Sequence, residues 1–273
     1  MAQFRMLGPL GVDPRVPGDR ITVPRGPKVR KLLCLFLLHP GTIVTLNQIM
    51  EELWGEEAVD SAVPTVRTHV YHLRRVLAQR GAGGAQGAMI HTTSSGYVLD
   101  LRDDGTDVLS FRSSARRGAD LLRAGNHAAA ARELRSALSQ WRGPALGDVC
   151  HGRVLEQEVV HLEGQRQDAL HQRIIADLNL GDHRRIIGEL RRLVAAEPLN
   201  EWLYGCLIES LYHSGLRNEA LRAYRQIRRT LDTELGLEPA PFLQEMQQMI
   251  LDPATGAVPR FGSLMTKAFS TIA

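Results

Sequence analysis

The sequence predicts a mainly α-helical fold with a small β part, divided between two domains. Three observations carry that reading. Short alternating β-runs punctuated by glycine and proline occur only at Phe4 to Val12, Arg20 to Pro24 and Ile90 to Leu101. Elsewhere, and almost without break from Val108 to Leu251, apolar residues recur at a helical period of about 3.6. Gly125, Gly181 and Gly215 then divide the second half into helical hairpins whose sequences can be aligned. A chain of 273 residues is too long for one small core and suits two domains of ordinary size. The division expected is 1–105, 106–251 and a loosely held tail at 252–273.

Composition narrows the class. At 44% hydrophobic and 23% charged the chain is globular rather than disordered. The net charge is only +3, so binding to nucleic acid has to be argued from where charge lies. Lys28, Lys31 and Lys267 are the only lysines, and this arginine bias fits a GC-rich genome. Cys34, Cys150 and Cys206 lie far apart without metal spacing, which suits reduced structural thiols within helical patterns. No apolar run reaches the roughly 18 residues that span a bilayer, and the start lacks a signal-peptide profile. The expectation is a soluble cytoplasmic, nucleoid-associated protein with no membrane partner.

In the first hundred residues the order of elements carries the argument. The first β-runs suit a small antiparallel sheet. Pro27 to His39 follows as a helix with an apolar stripe of Val29, Leu32, Leu33, Phe36 and Leu37, stopped by Pro40-Gly41. Arg25, Lys28, Arg30 and Lys31 crowd its entrance, which makes a possible phosphate site. Thr45-Leu-Asn-Gln48 fits a capping box that opens a second helix, which Gly55 ends. Beyond an acidic loop (Glu56, Glu57, Asp60), Pro64 to Gln79 reads as an amphipathic helix. Val66, Val70, Leu73 and Leu77 form its inner stripe. Thr65, Thr68, Tyr71, His72 and Arg75 point away, with Arg67, His69 and Arg74 on the flanks. No acidic residue occurs from Ser61 to Leu99. A solvated face usually mixes signs, so this one-signed face suggests an anionic partner. A Gly/Ala-rich spacer and a hairpin around Ser94-Ser95-Gly96 follow.

Helix, connection, basic helix and hairpin make a winged helix-turn-helix, whose second helix enters the major groove of DNA. The stretch resembles the OmpR-type winged helix in Glu52-Leu-Trp-Gly55, in Val66 to Leu77 with its Leu73-Arg-Arg-Val-Leu77 close, and in Gly96-Tyr97-Val-Leu99. The resemblance implies that Thr68 and His72, with Arg67 and Arg75, read base edges. It places Thr65, His69, Tyr71, Arg74 and the Trp54 indole N–H at phosphates or flanking bases. Lys28, Thr45 and the wing residues Thr92, Thr93, Ser94 and Tyr97 complete the expected phosphate set. One departure stands out. Many OmpR-type wings carry an arginine just before the Gly-Tyr pair, and here Thr92-Thr-Ser-Ser95 stands instead. Hydroxyls can bond a phosphate but cannot supply that charge.

In the second half, Leu122 to Ala130, Leu178 to Ile186 and Tyr212 to Ala220 align about their glycines. Positions five and nine beyond each glycine (Ala130, Ile186, Ala220; Leu134, Leu190, Tyr224) should face partner helices. Gly181 to Gly215 spans 34 residues, the tetratricopeptide period, and the longer step from Gly125 implies an insertion. The reading is a tetratricopeptide-like α-solenoid capped by a helix from Pro241 to Leu251. Ser139-Gln-Trp-Arg-Gly-Pro-Ala-Leu146, Ala223 to Leu231 and Glu234-Leu-Gly-Leu-Glu-Pro239 resemble the bacterial transcriptional activation domain. Joined to the OmpR-type reader, the chain resembles the short form of the Streptomyces antibiotic regulatory protein family.

That resemblance implies a pathway-specific activator of a secondary-metabolite gene cluster. Its partners would be double-stranded promoter DNA, bound at direct repeats near the −35 region, and RNA polymerase holoenzyme through its sigma factor. Direct repeats imply a head-to-tail homodimer on DNA. Glu56, Glu57 and Asp60 would be repelled by phosphate and are the expected sigma-factor contact. The competing reading is a helical-repeat adaptor without specific DNA binding. No Gly-x-Ser-x-Gly, P-loop, Cys-x-x-Cys or His-Glu-x-x-His occurs, so no catalytic residues, metal or cofactor are expected.

Overall fold

A computed structural model describes residues 3–13, 23–55, 57, 62–78, 88–101 and 105–252. The chain divides into two compact units, Met1–Arg117 with Arg135–Ala169, and Gly118–Leu134 with Leu170–Ala273.

The first unit begins with the antiparallel pair β1 (Gln3–Arg5) and β2 (Gly11–Asp13), with Phe4 opposite Val12. Val23 and Pro24 are not in a strand, and the remainder of the expected second β-run lies outside the described residues. α1 (Pro27–Leu38) starts with proline in its first turn, where the missing N–H costs nothing. Its apolar face is wider than the expected stripe: every residue from Leu32 to Leu38 is buried. A helix apolar all round belongs at the centre of a core, and α1 packs against α2, α3 and the wing sheet.

β3 (Ile43–Thr45) is a strand that the sequence did not announce. It leads into α2 (Leu46–Trp54), whose start is the expected capping box. The Thr45 hydroxyl accepts the Gln48 N–H at 3.3 Å, and the Gln48 side chain accepts the Thr45 N–H at 2.9 Å. Gly55 ends the helix with a positive φ of 60°. α3 (Ala62–Ala78) begins two residues before Pro64, which therefore sits in the first turn, where proline is tolerated. Val66, Val70, Leu73 and Leu77 are all buried, as the period requires. β4 (Met89–Thr92) and β5 (Gly96–Asp100) form the hairpin, and β5 is the centre of a three-stranded antiparallel sheet in the order β3-β5-β4.

α4 (Asp107–Arg123), α5 (His127–Leu138) and α6 (Arg153–Leu180) follow. The Ser139–Leu146 signature is not helical. It folds back on the connection between β1 and β2: the Arg142 N–H donates to the Leu7 carbonyl at 2.8 Å and the Leu146 N–H to the Met6 carbonyl at 2.9 Å. Trp141 packs edge-on against Phe111 at 5.4 Å. Three carboxylates complete this seam. Asp107 accepts the Met6 and Leu7 N–H groups at 2.8 and 3.0 Å. Asp148 accepts the Leu10 N–H at 2.6 Å and pairs with Arg30. Glu52 accepts the Gly152 and Leu155 N–H groups at the start of α6. Burial raises the pKa of Asp107, and the two N–H donors and Arg142 pull it back only in part.

The second unit contains α7 (His183–Ala196), α8 (Glu201–His213), α9 (Arg217–Leu235) and α10 (Pro241–Leu251). Gly125, Gly181 and Gly215 have φ of 74°, 79° and 80°, the left-handed turns that their spacing implied. Ala130, Leu134, Ile186, Leu190, Ala220 and Tyr224 are all buried, so the aligned positions share one structural role. α8 is buried continuously from Leu203 to Leu211 between α7 and α9, and α10 packs on α8 and α9 as the capping helix. Cys34 and Cys206 are buried thiols whose pKa burial pushes up, that of Cys34 to about 12. Cys150 departs from expectation: it is exposed in the non-helical segment before α6. No helix among the described residues is long and apolar enough to cross a membrane.

Candidate nucleic-acid interface

The outer face of α3 follows from its inner face. With four apolar residues locked into the core, the residues between them must point outward. Arg67, Thr68, Tyr71, His72 and Arg75 are all exposed, and Tyr71 leaves 58% of its surface open. Tyr71 stands one helical turn from both Arg67 and Arg75, so its ring and hydroxyl can join them in a stacking or phosphate contact. The Thr68 hydroxyl donates back to the Pro64 carbonyl at 3.1 Å, so its oxygen faces outward as an acceptor. Tyr71 and His72 contact edge to face at 5.8 Å.

Thr65, His69 and Arg74 are half-buried flanks rather than part of the open face. Burial lowers the pKa of His69, and nearby Lys28 and His72 lower it further. Its Nε2 has no hydrogen-bond partner among the described residues. Lys28 lies 4.4 Å over the half-buried Trp54 ring, a cation–π contact that fixes its ammonium. Lys28 from α1, Trp54 from α2 and His69 from α3 therefore converge, which sequence spacing alone did not show.

Arg74 does more than expected. Its Nε donates to the Ile90 carbonyl at 2.9 Å and its Nη2 to the Thr92 hydroxyl at 2.8 Å, tying α3 to β4. Arginine has five N–H donors, so this clamp leaves others available to a phosphate. The Thr93 hydroxyl accepts the Gly96 N–H at 3.1 Å and closes the wing turn, while Thr92 and Ser94 are exposed. Thr45 is largely committed to its capping box. Tyr97 requires a correction. Only 6% exposed, it packs edge-on against Phe36 at 6.3 Å, because β5 is the central strand and covers α1. It supports the wing from below instead of offering a surface contact. Glu57 is exposed, and Glu56 and Asp60 lie outside the described residues.

The sequence also missed the roles of Glu52, Asp107 and Asp148. Each finds its N–H donors about a hundred residues or more away along the chain. No local pattern signals such a pairing.

Comparison with known proteins places this architecture. The bacterial transcriptional activator domain matches residues 106–251, and the C-terminal domain of transcriptional regulatory proteins matches residues 20–99. The chain is 36% identical to the regulatory protein DnrI of Streptomyces peucetius over 252 residues, covering 91% of this chain and 92% of that protein. The chain belongs to the Streptomyces antibiotic regulatory protein family.

Other transcriptional regulators are also similar to the chain. The transcriptional regulator RedD of Streptomyces coelicolor is 32% identical, over 91% of this chain and 70% of that one. The solved structure of Mycobacterium tuberculosis EmbR, in complex with a low-affinity phosphopeptide, superposes with a TM-score of 0.83 at 27% identity. That match covers 99% of this chain and 70% of EmbR. This family member is thus a transcriptional activator with an N-terminal winged helix and a helical activator domain. It acts on DNA and on the transcription machinery. Its family is regulatory, not enzymatic.

Proposed function

We propose that this protein binds direct repeats near the −35 region of a secondary-metabolite promoter as a head-to-tail homodimer and recruits RNA polymerase through its sigma factor. The supporting observation is the open face of α3, cationic and donor-rich with no acid on it. Arg67, Thr68, His72 and Arg75 read base edges in the major groove. Arginine pairs with guanine O6 and N7, and hydroxyl and imidazole groups bond single edge atoms. Thr65, His69, Tyr71 and the free donors of Arg74 hold phosphates. Lys28 and Trp54 flank them, and Thr92, Thr93 and Ser94 approach the backbone from the wing, with Thr45 at the start of α2. The wing carries hydroxyls where an arginine would enter the minor groove, so its contribution is position rather than sequence.

Residues 1–105 form the DNA reader and 106–251 the activation domain in this division of labour. Glu56, Glu57 and Asp60 lie between α2 and α3 in sequence and would be repelled by DNA, which leaves them for a basic surface of the sigma factor. One experiment tests both parts. Genomic fragments selected in vitro by the purified protein are expected to be promoters with direct repeats, and transcription from them should rise when the protein is added. Replacing Glu56, Glu57 and Asp60 by their amides should spare the selection and remove most of the transcription. Fragments without a common repeat would defeat the operator reading, and undiminished transcription by the triple variant would defeat the sigma-factor contact.

A further inference from the structure

His183 is the first residue of α7, and His213 is the last residue of α8. Because the start of one helix meets the end of its neighbour, the two histidines come to the same end of the pair. Glu209 stands one turn before His213, and this i, i+4 spacing puts both on one face of α8. Ligand atoms of the three side chains all lie within 4.8 Å of one another. The two imidazoles are nearly parallel, with centroids 4.6 Å apart and an interplanar angle of 19°. Glu209 is wholly buried, His183 half-buried and His213 exposed.

Taking a carboxylate out of water is expensive unless positive charge faces it. Neutral imidazoles offer ring nitrogens as ligands, and the opposed dipoles of the α7 start and the α8 end leave the side chains to decide what binds. Two nitrogens and one carboxylate oxygen, with no thiolate and few oxygens, match zinc and its neighbours better than calcium or magnesium. Three protein ligands and an open fourth position are a common zinc arrangement. We propose that His183, Glu209 and His213 form a binding site for a divalent zinc ion that ties the start of α7 to the end of α8. Bond lengths of about 2.0–2.2 Å place tetrahedral ligand atoms about 3.3 Å apart, so from separations within 4.8 Å the side chains need to close by at most about 1.5 Å. The exposed His213 gives the ion its entry path. A metal bound only by the folded state stabilises the helical unit and makes the activator sensitive to zinc supply.

The untagged full-length protein, stripped with chelator, is the material for the test. Titration with cobalt(II) should produce visible d–d absorption that saturates at a single equivalent and is bleached by zinc. Zinc at about a hundredfold excess over its Kd should raise the Tm by about 5 °C. His183→Gln and His213→Gln alter positions that solvent reaches, so both should keep the wild-type circular dichroism while cobalt affinity falls at least about tenfold. Absence of the band, or a band unchanged in both variants, would overturn the proposal and leave a metal-free histidine–carboxylate cluster.

Discussion

Replacing Glu52 by alanine is expected to lower the unfolding free energy by about 3–4 kcal/mol, an effect far beyond that of a surface acid. Glu52 is 1% exposed. Its Oε1 accepts the Gly152 N–H at 2.6 Å and its Oε2 the Leu155 N–H at 2.9 Å. α6 begins at Arg153, so these are among the N–H groups that a helix start leaves without an internal partner. A negative charge there also meets the positive end of the helix dipole. Lys31 supports the arrangement, with its ammonium 3.7 Å from Oε1 and bonded to the Glu52 carbonyl at 3.2 Å. Alanine removes both acceptors, orphans two buried donors and leaves Lys31 without its counter-charge. Glu52→Gln retains the shape and one acceptor oxygen but sets an NH2 against an N–H donor, so about 1–2 kcal/mol should be lost. Urea unfolding followed by circular dichroism measures both. An alanine variant within about 0.5 kcal/mol of wild type would show that the seam does not hold the first unit together.

The second large effect is expected at Gly96, where alanine should unseat the wing. A Cβ at this position would lie 2.1 Å from the Val44 carbonyl oxygen and 2.9 Å from the Thr45 Cα, both backbone atoms that cannot rotate aside. Gly96 opens β5 opposite Thr45 of β3, so relief requires the two strands to part. Parting them disturbs the Thr45 cap of α2 and the Thr93 turn together. The expected cost is about 3 kcal/mol or more, at the upper end of overpacking effects. Loss of DNA affinity should accompany it, because the wing and α2 no longer flank α3. Ser94→Ala, at the exposed tip of the same turn, should change stability by less than about 0.5 kcal/mol. A Gly96→Ala variant as stable as that control would contradict the β3–β5 register.

What the sequence disclosed and what it hid separate on physical lines. The capping box of α2, the inner stripe of α3 and the three glycine turns depend on interactions within a few residues, so spacing alone revealed them. β3 escaped because three residues between two helices carry no period of their own; they become a strand only by pairing with Gly96 to Val98. Family resemblance assigns Tyr97 to phosphate, whereas it shares with Leu99 the face of β5 that is buried. The sequence assigns no role to Asp107 or Asp148 and uses Glu52 only as part of a motif, because their N–H partners lie far along the chain. Separation into different helices likewise concealed His183 from Glu209 and His213. The Ser139–Leu146 signature could be recognised as a motif, but its work, bonding to Met6 and Leu7, belongs to the tertiary structure.

The most direct test of DNA reading by α3 is an equilibrium titration of a selected promoter fragment and a scrambled one, from about 50 to 200 mM salt. The wild-type protein should prefer the promoter fragment by about a thousandfold or more, with log affinity falling linearly against log salt. Arg75→Ala should narrow that preference by about 1–3 kcal/mol, whereas Lys28→Ala should weaken both fragments alike and reduce the slope by about one. Equal affinity for the two fragments, or a preference that survives unchanged in Arg75→Ala, would contradict the assignment of α3 as the reading helix.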